Sequence, residues 1–325
     1  MHALVTGASG HLGTNLIHRL VARGHRVRAL VRGDAPWLGG VERVQGDVLD
    51  PASLEKAVAG VDVVFHLAGV ISVVGERGGL VRRVNVEGTR NVLAAAGMRR
   101  IVHMASIHAF RQDPVNAPLD ETRPLADRPE DHAYDRSKAE AMRLVLQRAA
   151  DTVVVAPTAV IGPYDWRRSR MGAVLLACFN GRLPAVVPGG YDWVDARDVA
   201  EGTLAAAERG RPGEVYLLGG AWTSVRALAE QAARVAGLGA PRWTCPAWLA
   251  RSAAPLGVAW AHLRGTEPIF TPESIRVLAT SNPHIDYGKA KRDLGYSARP
   301  LAATLEDTCR WFREAGRLAP GTEPL

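Results

Sequence analysis

Residues 2–5, His-Ala-Leu-Val, form a short apolar run of the kind a buried strand makes. Thr6-Gly7-Ala8-Ser9-Gly10-His11-Leu12-Gly13 follows directly, and after it Leu16, Ile17, Leu20 and Val21 recur on one helical face. Further apolar runs at Arg26–Val31, before Gly46, at Val61–Phe65 and at Ile101–Ala105 read as strands. They alternate with helical patterns through about residue 155. This order predicts an α/β fold: a doubly wound parallel sheet with right-handed crossovers and helices on both faces. A ligand is expected over the carboxyl ends of its strands. Gly, Pro and charged residues concentrate near 110–130, 162–170 and 181–192, as loops that shape a pocket would.

The strand, glycine loop and helix stand in the order that a dinucleotide site requires. Gly7 permits the tight turn, Gly10 lets the backbone approach a pyrophosphate, and Gly13 permits close helix packing, with the helix N-terminus facing the anion. An ordinary Gly-rich turn is the competing reading, which the strands on both sides disfavour. The second strand discriminates between dinucleotides. Val27-Arg28-Ala29-Leu30-Val31 ends in Arg32, no acidic residue stands at the strand end, and Asp34 comes only after Gly33. A carboxylate there would accept from a ribose 2′-hydroxyl, whereas an arginine offers a fork to a 2′-phosphate. NADP(H) is therefore favoured and NAD(H) stays open. A solvated loop charge is the plainer reading of Arg32.

Tyr134 and Lys138 stand four residues apart in His132-Ala133-Tyr134-Asp135-Arg136-Ser137-Lys138, so on a helix they share one face. A lysine charge beside a phenol favours the phenolate. Lowering a tyrosine by roughly three pH units needs about 4 kcal/mol of differential stabilisation. By itself the spacing occurs by chance on many solvated helices.

With these residues in place, the chain resembles the extended short-chain dehydrogenase/reductase family over essentially its whole length. The resemblance rests on Thr6 to Gly13, on Gly46-Asp47-Val48, on His66-Leu67-Ala68-Gly69, on Asn85-Val86-Glu87-Gly88-Thr89, on Ser106 after its strand, and on Tyr134 with Lys138. It implies a Rossmann-type domain over about 1–155 and a smaller, interleaved substrate-binding region over 156–325, with about 190–220 returning to the first domain. It also implies that Ser106, Tyr134 and Lys138 are catalytic. Thr6, Gly7, Gly10, His11, Leu12, Gly13, Arg32, Asp47, Val48, Leu67, Ala68, Gly69, Asn85 and Pro157 would hold the cofactor, together with Tyr134 and Lys138. Asp47 would meet adenine, and Asn85 is expected to be structural. The resemblance further implies a homodimer through two helices, one carrying Tyr134.

Val27 to Arg32 and Pro157-Thr158-Ala159-Val160-Ile161-Gly162-Pro163 look closest to the dihydroflavonol-reductase-like and 3β-hydroxysteroid-dehydrogenase-like branch. Two departures narrow the chemistry. Sugar-nucleotide epimerases of the family usually carry Arg and Asn where Ala156 and Ala159 stand, and sugar dehydratases place Asp-Glu where Ile107-His108 follows Ser106. Hydride transfer to a carbonyl, or from a secondary alcohol, is the expected activity. An epimerase and an NADP-holding regulatory sensor stay open as alternatives. His108, Ala159, Tyr164 and Trp193 are candidate substrate contacts, with packing as the competing reading for each.

Composition adds little beyond these motifs. The 40 basic and 33 acidic side chains give a net charge of +7, but they are dispersed, so nucleic-acid binding is not expected. Arg167, Arg168 and Arg170 form the densest small cluster, best read as a solvated or contact loop. Cys178, Cys245 and Cys309 are isolated, which speaks against a metal site and, with the immediate first strand, for a cytoplasmic protein. Residues 246–263 are apolar, but Arg251 and Pro255 break them up as a membrane span. Core packing is the default for this run, with a substrate-entry lip or a membrane-surface contact by its tryptophans as the competing readings.

Overall fold

In the computed structural model, residues 1–318 are described except Val74, Ala149, Pro184, Arg242, Ala247, Arg251, residues 253–275 and Ala279. Most of the apolar run 246–263 therefore lies outside the described residues.

Seven strands form one sheet: β1 (His2–Thr6), β2 (Arg26–Val31), β3 (Glu42–Gln45), β4 (Val63–His66), β5 (Arg100–Met104), β6 (Thr152–Pro157) and β10 (Val215–Leu218). Their order is β10-β6-β5-β4-β1-β2-β3, and every pairing is parallel. Strand order reverses beside β1, which opens a crevice over its carboxyl end. Both faces of the central strands are covered, so β4 and β6 are buried along their whole length and read as unbroken apolar runs rather than alternating ones.

One face of the sheet carries α1 (His11–Ala22) packed against α7 (Ala196–Arg209), and Leu16, Ile17, Leu20, Val199 and Leu204 join its core. The other carries α2 (Pro51–Val58), α4 (Gly88–Ala96) and α5 (Ala133–Leu146), with Leu54, Val58 and Val92 buried beneath the first two. A short α3 (Leu80–Arg82) runs through one π-helical turn, Arg83–Glu87, into α4.

After β6 the chain leaves this domain and builds a second core. Here β7 (Ala159–Ile161), β9 (Gly190–Asp195) and β11 (Ala221–Ser224) form a three-stranded sheet, and β8 (Ala185–Val186) pairs with β12 (Trp243–Thr244). Three helices, α6 (Arg170–Phe179), α8 (Val225–Val235) and α10 (Leu301–Glu314), close over Leu175, Phe179, Leu228, Trp311 and Phe312. The last described helix of the first domain's edge is α9 (Gly288–Leu294), which packs on α7 and β10. Interleaving arises because β9 runs without a loop into α7, which leads back to β10.

A buried carboxylate ties the crossings together. Thr158 Oγ1 donates to Asp192 Oδ1 at 2.7 Å and the Gly220 N–H donates to the same oxygen at 2.6 Å. Burial pushes the Asp192 carboxyl upward, and the bonds from Gly220 and Thr158 oppose that only in part. Residues 181–192 are less irregular than expected from their Gly, Pro and charge content, because they contain β8 and the start of β9. Strands of two or three residues leave no periodicity to read.

Among the described residues no helix is long and apolar enough to cross a membrane. Phe65 is wholly buried at the centre of the sheet, inside the core shared by β4 and β5. Phe65→Ala should therefore destabilise the chain by about 3–5 kcal/mol in urea denaturation. A loss below about 1 kcal/mol would show that the sheet relaxes around the gap.

Candidate active site

The glycine loop is shaped by contact as much as by conformation. Gly7 has φ +68°, and a Cβ built there would stand 2.6 Å from Ala68 N and from Leu67 C. A Cβ on Gly13 would stand 2.2 Å from Gly7 O, so helix α1 can approach the loop only without a side chain at this position. Gly10 caps α1 without a side-chain bond, which leaves backbone N–H groups at the helix start facing the crevice. His11 Nε2 pairs with Pro163 O at 3.0 Å, and Asn15 Nδ2 donates to the same carbonyl at 3.1 Å. These contacts anchor the loop entering the second core to the first helix. Leu12 packs against the main core.

At the far end of the crevice, a groove of about 430 Å³ is lined by Arg32, Gly46, Asp47, Ser53 and Lys56 among others. Neither Arg32 nor Lys56 has an ion-pair partner among the described residues. Asp47 Oδ1 accepts from Leu49 N at 2.9 Å, and Ser53 Oγ bonds the Asp47 backbone at both N and O. Val48 is buried against α4, where a Cβ on Gly88 would stand 2.8 Å from its Cγ2.

Between the two ends runs a polar chain that motif spacing did not reveal. Ala68 N donates to Thr6 Oγ1 at 3.3 Å, Thr6 Oγ1 lies 2.8 Å from His66 Nδ1, and His66 Nε2 lies 3.0 Å from Thr89 Oγ1. Thr89 in turn donates to Asn85 O at 2.6 Å. Because the Thr89 proton is used there, His66 must donate from Nε2 and accept from Thr6 at Nδ1. A neutral ring is required, and burial, with the Lys138 charge nearby, lowers His66 to about 3. Thr6, His66 and His103 are cross-strand neighbours on β1, β4 and β5, a register that only the sheet reveals. The His103 ring lies 5.2 Å from that of His66, tilted by 40°, and neither of its nitrogens has a partner among the described residues.

The π-turn presents Asn85 at the centre of the site. Its Oδ1 accepts from Val70 N at 2.7 Å, while its Nδ2 donates to Val70 O at 3.0 Å and to Ser137 Oγ at 2.9 Å. Asn85 thus joins the loop after β4 to helix α5, in keeping with a structural role.

Ser106, Tyr134 and Lys138 meet beside it, and all three are buried. His132 caps α5 by accepting from Tyr134 N at 3.3 Å, which places Tyr134 in the first turn and Lys138 one turn on. The Ser106 hydroxyl stands close enough to the Tyr134 phenol to pull its pKa down. Lys138 Nζ donates to Met104 O at 3.0 Å, and a Cβ on Gly69 would lie 3.3 Å from Nζ and 3.2 Å from Asn85 Oδ1. The bare Gly69 backbone therefore lies close against Lys138 and Asn85, where a side chain would crowd both.

The electrostatics correct one expectation. Lys138 does not depress the tyrosine in the chain by itself: burial pushes Tyr134 up to about 12, with Ser106 pulling it down and Asp135 adding to the rise. Lys138 is itself lowered to about 8 by burial. Both groups lose solvent together, and the ammonium is directed at the Met104 carbonyl rather than at the phenol.

The candidate substrate contacts divide. His108 stays with the trio: its ring centre is 6.0 Å from that of Tyr134, and its Nδ1 lies 3.4 Å from Asp135 Oδ1. Burial works to lower its pKa, but the bond to Asp135 and the charge of that carboxylate outweigh it, and the pKa is raised. Ala159 opens β7, two residues beyond Pro157, which ends β6. Trp193 is buried and donates to Thr223 O at 2.8 Å. Tyr164 meets His18 edge-on at 4.6 Å and Trp311 at 6.0 Å, in an aromatic cluster between the cores. Trp37 stacks on Trp166 at 6.2 Å there, and Arg167 from the arginine cluster lies 5.7 Å over the Trp37 ring.

A dinucleotide crevice at the switch point of a parallel sheet, ending in a buried Ser-Tyr-Lys trio, defines an oxidoreductase of the extended short-chain dehydrogenase/reductase class that binds NAD(P). The chain belongs to the NAD dependent epimerase/dehydratase family, whose model matches residues 3–219. It is 36% identical to sterol demethylase protein B of Methylococcus capsulatus over 98% of this chain and 100% of that one. It is 31% identical to a putative dihydroflavonol 4-reductase of Synechocystis over 96% of this chain and 94% of that protein, in line with the branch expected from the motifs. The crystal structure of gox2253 superposes with a TM-score of 0.83 at 32% identity, covering 98% and 99% of the two chains.

The low pKa of Lys138 has a consequence for stability. Between its folded value of about 8 and the ordinary lysine value, the unfolded chain holds the extra proton, so stability rises with pH. From pH 8 to 10, before Tyr134 begins to oppose it, the contribution should amount to about 2 kcal/mol. Urea denaturation of the cofactor-free protein at several pH values checks this. In Lys138→Met that rise should vanish, and an equal rise in the variant would refute the assignment.

Proposed function

We propose that the protein transfers hydride between NADP(H) and a carbonyl or secondary alcohol of a small or medium organic substrate. The observation that carries this reading is the convergence of Ser106 and Tyr134 on one point, with Lys138 close against Gly69. The nicotinamide supplies or accepts the hydride. In the reductive direction Tyr134 donates its proton to the oxygen of the former carbonyl. Ser106 donates to the same oxygen and stabilises the charge growing on it, a contribution of several kcal/mol in a dry pocket. Lys138 hydrogen-bonds the nicotinamide ribose and orients it. A phenol kept near 12 is fully protonated at neutral pH, so Tyr134 is poised as an acid; acting as a base for alcohol oxidation requires added positive charge near the ring.

The choice of NADP over NAD is supported by the unpaired Arg32 at the end of β2 and by Lys56 across the same groove, since two exposed cations suit a 2′-phosphate. Ala156 is fully buried in an apolar core and Ala159 is half-buried, so neither offers the polar group found in sugar-nucleotide epimerases.

Tyr134→Phe should lower kcat for any substrate by at least ~1,000-fold while leaving NADPH affinity within about threefold. Near-normal turnover in that variant would sink the proposal. Arg32→Ala should weaken NADPH binding in calorimetry by ~10–100-fold and NADH binding by less than about threefold. Equal losses for the two nucleotides would refute the 2′-phosphate assignment.

A further inference from the structure

We propose that Trp37, stacked on Trp166 of the second core, is a positioning residue for the loop that begins at Arg32, so that the choice between a 2′-phosphate and a 2′-hydroxyl is set in part from the substrate-side core. This inference rests on the reading of the crevice as an NADP(H) site and adds the device that holds its 2′ end in place.

Arg32 directly follows β2 and is exposed on a stretch with little to fix it. Gly33 comes next, where a Cβ would meet nothing within 4 Å, and the Asp34 side chain is 86% exposed. Firm anchoring begins at Ala35 and Leu38, both buried in the main core, with Leu38 N and Arg43 Nη1 donating to Ala35 O at 3.1 and 3.3 Å. Trp37, between these anchors, meets the second core. Its ring stacks on that of Trp166 with centroids 6.2 Å apart and planes 17° apart, and the Arg167 guanidinium lies 5.7 Å from its centre. The loop after β2 is thus clasped by residues of the other core.

Trp166 is itself held firmly. Trp311 of α10 meets it edge-on at 5.2 Å, and Arg317 lies 5.7 Å over its ring while donating to its carbonyl at 2.5 Å. The turn that bears it is fixed as well. Ser169 N and Oγ each donate to Asp165 Oδ2 at 2.7 Å, while Tyr164 and Arg168 take φ of +65° and +53°, a left-handed conformation that residues other than glycine keep only where the surroundings impose it. The loop therefore takes its position from the turn, and not the reverse. Neither indole N–H of the stacked pair has a hydrogen-bond partner among the described residues, so ring area and π-face attraction carry the contact. A phenyl ring can replace an indole there, and a methyl group cannot.

Calorimetric binding of NADPH and of NADH to the full chain tests this, with the ratio of the two affinities as the readout. Trp37→Ala and Trp166→Ala should each lower the NADPH:NADH ratio by about 3–10-fold, while NADH affinity stays within about threefold and reports that the variant is folded. Trp37→Phe should restore the ratio to within about twofold of wild type. In the double variant the loss should be no larger than in either single one, because both remove the same contact. An unchanged ratio, equal losses for the two nucleotides, or losses that add in the double variant would overturn the inference. Should Trp166→Ala not fold, Trp166→Leu, which keeps bulk without the aromatic face, is read by the same ratio. Arg32→Ala separates the inference from the reading beneath it. If that variant keeps the wild-type ratio while the tryptophan variants lower it, Arg32 is not the phosphate contact and the positioning role stands. If Arg32→Ala lowers the ratio and the tryptophan variants leave it alone, the positioning role falls by itself.

Discussion

The bond from Lys138 Nζ to Met104 O is the constraint on which the site depends. A buried ammonium costs several kcal/mol unless it is paired or hydrogen-bonded. Here the compensation comes from a backbone carbonyl at the end of β5, so the lysine position is set by the sheet itself. Three further features follow from keeping that cation in place. Gly69 must lack a side chain, because a Cβ would lie 3.3 Å from Nζ. His66 and His103 must be neutral, because burial and the nearby positive charge both oppose protonation. The phenol one turn earlier must share the same dry environment, which holds it high until charge arrives nearby.

The nucleotide loop and the catalytic helix are coupled through polar groups that leave little freedom. The chain from Ala68 through Thr6, His66 and Thr89 reaches Asn85 O, and Asn85 Nδ2 continues to Ser137, whose hydroxyl donates to Tyr134 O at 2.7 Å. Asn85 Nδ2 bonds both Val70 O and Ser137 Oγ, so a displacement of the loop after β4 is felt at the first turn of α5. The second core is held to the first by different means. His11 and Asn15 grip Pro163, Asp192 joins Thr158 to Gly220, and Arg299 bonds Asp198 at the start of α7. Arg317 adds bonds to the carbonyls of Asp165 and Trp166 below the aromatic cluster. The second core is therefore held in part by contacts to α1 and α7, which pack against each other on one face of the main sheet.

Much of this was legible in the sequence. The apolar runs at β1, β4, β5 and β6 sit in a fully covered parallel sheet, so burial on both faces left a continuous signal. Gly7 and Gly13 could be read because only a residue without Cβ tolerates their contacts. The Tyr134–Lys138 spacing could be read because a helix repeats its faces every three to four residues. The pairing of His66 was not legible because its partners come from β1 and from α4, 60 and 23 residues away. Tyr164 looked like a pocket residue by its place in a loop, yet packs between His18 and Trp311.

The sequence by itself determined the strands of a parallel sheet, the glycine loop and the residue types available to the crevice, since these follow from local periodicity and from glycine's lack of a side chain. Charge states were decided only by the tertiary structure. The expectation that Lys138 lowers the tyrosine came from spacing alone, but a pKa depends on how much water each group has lost and on where its hydrogen bonds point. The pairing of His108 with Asp135, 27 residues apart, was likewise set by the packing of the turn after β5 against the start of α5. Local pattern fixes which side chains are available, and only packing decides which are desolvated, which are paired and which remain free to meet a ligand.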